Sequence, residues 1–584
     1  MQSVRDVVLV VVVAVIVIFP NLGRPRLWDR DEPRNAGCAR EMVERGDWVV
    51  PVFNAELRTH KPVLLYWFMM AAYSIFGVTE FAARFSSATF GVGTAVLTYL
   101  IARRMFGRQA GLWSAIILTT FVMFGVVGRA ATPDSTLILF CTAAMAVFVY
   151  GIFPTDNATD DRVDPFPGSW RVAAVMYAIM GVAVLAKGPV GLVLPTAVIG
   201  MFCLIERSRL DRINSEVAVN DSGWFMTLVK SFGRWFHPVH FLQTCWHMRP
   251  ITAVVAVLIV AGPWYAWVGW RTDGAWLAGF LGEHNLGRAV TAMEGHSGST
   301  LLFYPLTLLA CCFPWSVLTV PTIASSVRTS TKQPSERRRA AFVFLACWVI
   351  VYVVLFSIAQ TKLPSYIAPT FPAVAILLGS FVAELIERPV EFDRRWARTG
   401  MIVLSLVGVG LSVGLNLVLR RYLPRESSLS LVMLVPVAAG VVGMIMMERQ
   451  RIKMAMRRLG ISAAAFSLLL FGVLSVRVSH YQEYDRLFSP LARQSTATVG
   501  SYGRLEPTWV YYAGRPIEFF DDDDLQAAVR FLAQPDTVLV TTEERLDNLT
   551  QATSDSLRVL SRSSYFLQSE KLIMVTGGQS VASK

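Results

Sequence analysis

Apolar runs of about 17 to 25 residues recur along most of this 584-residue chain, and their repetition restricts the fold more than any single motif does. Each run can cross a hydrocarbon core of about 30 Å, where every backbone N–H and C=O must find a partner within the protein. Only helices and closed barrels meet that demand. The runs are continuous rather than alternating, which excludes a barrel. Composition agrees, with 54% hydrophobic and 16% charged residues, where a soluble chain carries about a quarter charged. The chain therefore reads as an α-helical polytopic membrane protein. Spans are predicted at 5–21, 80–102, 110–127, 134–153, 171–186, 189–206, 250–270, 301–322, 340–358, 365–386, 399–419, 429–447 and 460–476, about thirteen in all.

The opening run, "VVLVVVVAVIVIFP", is followed by "NLGRPR" and by no small-x-small cleavage site, so it is expected to remain as the first span. Most of the seven cysteines lie inside apolar segments and Cys38 stands alone in its loop, so no disulfide framework is implied. A formal charge of +12 would suit nucleic acid if it formed one patch. Instead the basic residues collect in "IARRMFGRQ", "ERSRLDR", "SERRRA" and "ERQRIKMAMRR", each between apolar runs. That is the pattern of cytoplasmic loops beside a lipid bilayer, and it argues against a nucleic-acid partner.

With the N-terminus inside, residues 22–79 form a long first external loop, with helices predicted near 33–46 and 62–76. The second, "PVLLYWFMMAAYSIF", is short and aromatic and is expected to lie along the interface. Residues 271–300, the segment "QTKLPSY" and the C-terminal hundred residues also face outward. On the inner side, "GWFMTLVKSFGRWFHPVHF" is expected to be an amphipathic interfacial helix. Residues 1–477 thus make a membrane domain, and 478–584 a small external α/β domain. There "PTWVYYAG", "DTVLVTT" and "KLIMVTG" are predicted strands, and "DDLQAAVRFLAQ" and "EERLDNLTQA" predicted helices. The run Asp521 to Asp524 is read as the acidic start of a helix rather than a metal site.

The unusual polar residues share the outer side. In "LWDRDEPRNAGCAREM", Asp29, Asp31 and Glu32 stand beside Arg30 and Arg34, and His60 and Lys61 follow in the same loop. Asp134 opens the fourth span after "GRAATP"; Glu283, His284, Arg288, Glu294 and His296 follow the seventh; Lys362 and Tyr366 lie in "QTKLPSYIAP". Carboxylates, cations and imidazoles at one membrane surface suggest a reaction centre at the lipid–water boundary. Lys61, Arg288 and Lys362 could grip a lipid phosphate, and a carboxylate could act as general base towards an acceptor hydroxyl. Plainer readings stand beside these: a solvated capping loop for the acids, an N-cap for Asp134, snorkelling for each cation, an interfacial anchor for Tyr366. A membrane transporter of a lipid-linked or small solute is the rival from another class. Transporters place ionisable residues near the bilayer midplane, whereas here they cluster at span ends.

Six stretches occur in one order over most of the chain: "WDRDEPRNAGCAREMVERGDWVVPVFN", "HKPVLLYW", "LAKGPVGLVLP", "GPWYAWVGWR", "EHNLGR" and "KLPSYIAPTFPAVA". Together they resemble the bacterial lipid-carrier-dependent glycosyltransferases of the protein O-mannosyltransferase-like (GT-C) superfamily, and within it the aminoarabinose transferases of lipid A. The resemblance implies a GT-C-like fold with its active site under the external loops, at the outer face of the cytoplasmic membrane. The donor would be a polyprenyl-phosphate-linked sugar, and the acceptor lipid A, another glycan or a protein. By the same resemblance Asp31 matches the catalytic acid and Asp134 a second acid. Lys61, Arg288 and Tyr366 match positions that hold the carrier phosphate, with Arg34 and Lys362 counted among the substrate-binding residues. His284 matches a histidine that can help bind a divalent metal.

Two departures bear on the site. The related branch has an acid before the "KP" lysine where this chain has His60, and an aromatic after the arginine of the first motif where it has Asn35. Histidine is itself a zinc ligand, so His60 and His284 could keep a softer zinc site, completed by Glu283, Glu294 or His296. Alternatively the metal is lost and His60 is an exposed loop histidine. Asn35 is expected to alter the sugar pocket.

Overall fold

A computed structural model describes residues 2–28, 30–154, 162–214, 224–287, 302–331, 335–553 and 557–577. Among them ten helices are long and apolar enough to cross a membrane, or up to twelve if each of two bent pairs is one span. The first predicted span is Gln2–Ile18, which turns Val10, Ala14 and Ile18 into the helical core. Two predicted spans are broken rather than straight. Arg108–Thr119 and Val122–Arg129 meet at 67°, and Phe303–Cys311 and Trp315–Arg328 at 114°. Interrupted helices survive at membrane depth only where protein satisfies the freed groups. Here the two breaks serve each other: Val122 N–H donates to the Phe313 carbonyl at 3.1 Å, and Trp315 Nε1 to Thr120 Oγ1 at 2.8 Å.

At one end of the bundle the predicted inner loops are knitted by ion pairs. Arg108 holds Asp6 at 2.7 Å, Arg328 holds Asp393 at 2.5 Å, and Arg338 and Arg339 reach Glu384 and Glu206. The aromatic insert on this side forms two helices, Trp224–Trp235 and Pro238–His247.

At the other end, the first loop folds as the helix Asp31–Arg45, a hairpin of β1 (Val52–Phe53) and β2 (Glu56–Leu57), and the helix Leu64–Phe76. Over it lies a five-stranded sheet of β3 (Thr498–Tyr502), β4 (Ile517–Phe520), β5 (Thr537–Thr542), β6 (Arg558–Ser564) and β7 (Lys571–Thr576). Its order is β4-β3-β5-β7-β6, with β3 parallel to β4 and β5, and β7 antiparallel to its two neighbours. The predicted strands "DTVLVTT" and "KLIMVTG" are β5 and β7, and the predicted helices are Leu525–Leu532 and Glu543–Ala552. "PTWVYYAG" is not a strand. It is the helix Pro507–Ala513, opened by a proline in its first turn and ended by Gly514 at φ +73°. Those two residues are a helix start and stop that outweigh the β propensity of the aromatics between them. Asp521 to Asp524 do precede a helix, and Asp522 is occupied by a two-point pair with Arg545 at 2.6 and 2.8 Å.

The charged knot after the first span is tied to the bundle from inside. Glu32 and Arg84, each 5% exposed, meet through Nε–Oε1 at 2.8 Å and Nη2–Oε2 at 2.7 Å. Glu32 also accepts the N–H of Trp28 at 2.7 Å and of Ala131 at 2.8 Å. Arg84 donates to the carbonyls of Leu22, Pro25 and Arg26 at 3.1, 2.6 and 2.9 Å. Arg84→Met would leave Glu32 buried without its counter-charge and is expected to cost about 3 to 5 kcal/mol. The readout is a lower melting temperature, or loss of folded protein, in detergent; an unchanged melting temperature would show that the loop is anchored elsewhere.

Candidate active site

The helix Asp31–Arg45 begins with two acids that point to different fates. Asp31 is exposed, while Glu32 turns inward to Arg84. Three residues before Asp134, Ala131 is held at both backbone groups: its N–H by Glu32, and its carbonyl by Asn35 Nδ2 at 3.0 Å. This fastens the start of Asp31–Arg45 beside the start of Asp134–Ile152. Asn35, the residue at the second departure, is fully buried and also accepts from Arg58 Nη2 at 3.0 Å.

Lys187 completes the acidic group. Its Nζ lies 2.5 Å from Asp134 Oδ1 and 5.3 Å from the ring centre of Tyr366, and it is also attracted by the charge of Asp31. Asp134 makes no capping bond, so the N-cap reading fails. Lys187 is the last residue of Trp170–Lys187, and the chain reverses at once through Gly188 at φ +80°. A Cβ at Gly191 would lie 2.4 Å from the Ala183 carbonyl carbon, so the turn needs that glycine. The motif "LAKGPVG" contained the signal, but a lone lysine at a span end reads as a snorkelling cation until its carboxylate partner is placed.

A basic group adjoins these residues. The rings of His60 and His284 stack with centroids 3.9 Å apart and an interplanar angle of 29°. Burial, together with the neighbouring Arg58, His284, Arg34 and Lys61, pushes His60 down to about 3, so it is neutral at physiological pH. Arg58 is 5% exposed and donates to Tyr66 Oη at 3.0 Å as well as to Asn35. No sequence signal separated it from an ordinary loop arginine. A cavity of about 220 Å³ opens here between Arg34, Arg58, His60 and the hairpin on one side and Leu505, Pro507 and Val510 on the other. Lys362 stands apart from the acids: its Nζ donates to the Ser357 carbonyl at 2.7 Å and lies over the Tyr304 ring. Aromatic contacts through Phe356 link Tyr304 to Tyr366. Arg288, Glu294 and His296 lie outside the described residues, and Glu283 is exposed.

The histidine pair tests the expected zinc. Two imidazoles on one tetrahedral zinc, each with its nitrogen about 2.0 Å from the metal, would have ring centres roughly 5 Å apart. The pair is closer than that and lies among three cations, and no third histidine, cysteine or carboxylate joins it among the described residues. As placed, the pair does not fit that ion.

Known proteins share this architecture. Residues 3–234 match the family model described as dolichyl-phosphate-mannose-protein mannosyltransferase. The crystal structure of ArnT from Cupriavidus metallidurans bound to undecaprenyl phosphate superposes with a TM-score of 0.72 at 21% identity, covering 99% of each chain. The fold is ArnT-like. An undecaprenyl phosphate-alpha-4-amino-4-deoxy-L-arabinose arabinosyl transferase of Yersinia pestis (strain Pestoides F) is 26% identical over 413 residues, 69% of this chain and 64% of that one. An uncharacterized protein of Aquifex aeolicus (strain VF5) is 27% identical over 379 residues, 65% of this chain and 64% of that one. The matches thus span 64% of the length of these curated relatives. The superfamily resemblance read from the motifs is borne out.

In this ArnT-like frame the exposed carboxylate of Asp31 can accept a proton, and the adjoining cations can neutralise a developing anion. The purified protein is expected to hold less than stoichiometric zinc by elemental analysis. One zinc per chain, lost in both His60→Ala and His284→Ala, would show that the rings part to take the metal.

Proposed function

We propose that this protein is a glycosyltransferase that moves a sugar from a polyprenyl-phosphate carrier to an acceptor at the outer face of the cytoplasmic membrane. The observation that supports it most is the convergence of Asp31, the Asp134–Lys187 pair and the cations around His60 at one end of an apolar helical bundle. A lipid-linked donor presents its phosphate at that depth with its chain in the bilayer. The names of the similar proteins support the donor class, and the motif resemblance makes lipid A the first acceptor to test, before another glycan or a protein. The arginine-rich loops at the opposite end support an outward-facing site under the positive-inside rule.

In the reaction the acceptor oxygen bonds to the anomeric carbon as the carbon–oxygen bond to the carrier phosphate breaks. The bonding electrons leave with the phosphate, and the acceptor hydroxyl proton passes to Asp31. Arg34 and Lys61 would compensate the phosphate charge together with Arg288, and Tyr366 would steady it by a hydrogen bond. Lys187 holds the Asp134 carboxylate in place through its Nζ at 2.5 Å.

Membranes bearing the protein, given polyprenyl-phosphate sugars of several kinds with lipid A, glycan and peptide acceptors, should yield one glycosylated product by mass spectrometry. Uptake of a labelled solute with no sugar transfer would replace this reading with the transporter. Asp31→Asn keeps the shape and removes the proton acceptor. It is expected to lower turnover by about a hundredfold or more with donor binding retained, in the range of general-base loss. Near-normal transfer would remove Asp31 from the mechanism. Arg34→Ala and Lys61→Ala should each weaken donor binding by about 1.5 to 3 kcal/mol, the worth of a charged hydrogen bond. Unchanged donor affinity in both would leave them as snorkelling cations.

A further inference from the structure

We propose that Asn54 is a positioning residue through which the C-terminal domain sets the basic half of the site. The role rests on the transfer reaction proposed above. Asn54 and Ala55 form the two-residue turn of the β1–β2 hairpin at φ +58° and +60°, the conformation that a tight two-residue hairpin demands. For Ala55 this backbone is unfavourable, so something must hold it. Glu41 does so from the helix Asp31–Arg45: Oε1 accepts the Asn54 N–H at 2.7 Å and Oε2 the Ala55 N–H at 3.2 Å.

The Asn54 side chain then reaches the other way. Its Nδ2 donates to the Ile517 carbonyl at 3.0 Å, and its Oδ1 accepts the Ile517 N–H at 2.7 Å. The amide thus imitates a paired strand residue at the start of β4, which is an edge strand of the sheet. An asparagine amide offers one donor and one acceptor in that geometry, which an aspartate or a leucine does not.

What lies beyond the hairpin gives the contact its consequence. Arg58 follows β2 directly and closes the hairpin by donating its N–H to the Pro51 carbonyl at 2.9 Å. Its guanidinium reaches Tyr66 and Asn35, and His60 is two residues on. On the other strand, Phe53 packs so tightly on the helix bearing Asp31 that a Cβ at Gly37 would lie 2.6 Å from its ring. The hairpin is therefore wedged between that helix and the C-terminal domain, with the 220 Å³ cavity beside it. A hairpin free to move would loosen Arg58 and His60 without unfolding either domain, and a misplacement of about 1 Å at a reacting site can cost a hundredfold.

The full-length protein in detergent supplies the test. Asn54→Gly keeps a residue at ease at positive φ and removes both bonds to Ile517, and Asn54→Asp keeps only the acceptor. Sugar-transfer kcat is expected to fall about tenfold or more in Asn54→Gly and to recover part-way in Asn54→Asp. Donor KM is expected to rise as well, because Lys61 follows the loosened segment directly, while melting temperature stays at the parent value and amide exchange speeds up at residues 52–60 and not in β5 or β7. Parent kcat in Asn54→Gly, or a loss that follows a fall in melting temperature, would overturn the proposal. A parent protein without transfer activity would overturn the proposed reaction instead, and unchanged exchange at 52–60 would then overturn the Asn54 link separately.

Discussion

The Glu32–Arg84 pair is the interaction on which the outer end of this protein depends. Two buried charges meet by two short bonds, and every remaining polar direction runs to backbone: Trp28 and Ala131 on the glutamate, Leu22, Pro25 and Arg26 on the arginine. Desolvating such a pair is costly, and partners this complete are what make it tolerable. The pair joins three segments far apart in sequence: the loop after the first span, the second span, and the segment before Asp134. Once those are fixed, Asp31 has little freedom left. Its neighbour is buried, and its own carboxylate must face outward beside Lys187.

Charge is divided between the two ends of the bundle with different uses. At the end away from Asp31, arginines pair with acids on neighbouring helices and close the gaps between loops. At the opposite end, His60 of the histidine stack lines a cavity among cations, and the exposed Asp31 acts by its charge on Arg58. Packing alone gives no reason to gather two acids, a lysine and a tyrosine at helix ends under a separate domain. The proposed reaction on a lipid-borne phosphate would.

Local patterns misled where a tertiary partner changed their meaning. Aromatic residues in "PTWVYYAG" look like a half-buried strand, yet proline and glycine bracket one short helix whose Trp509 and Val510 fill the domain core. The third and eighth apolar runs are long enough to cross straight. Each breaks, and the two breaks meet through Val122 N–H on the Phe313 carbonyl and Trp315 Nε1 on Thr120 Oγ1. His60 and His284 are 224 residues apart, yet their rings touch. No spacing rule would have shown whether they stack or converge on an ion.

Hydropathy and ordered motifs determined the helical membrane fold, the gathering of the polar residues at span ends and Asp31 with Asp134 as the acids to watch. Each follows from how single residues partition between water and lipid, which sequence records directly. Sequence did not reveal that Glu32 is an anchor and Asp31 is not, although both are acids in one helical turn. Nor did it reveal Lys187 as the partner of Asp134, Arg58 as a buried cation, or Asn35 as a clasp on Ala131. Those roles depend on which distant backbone groups come within 3 Å of a side chain. That distance is set by packing among the helices, and so only the tertiary structure decided it.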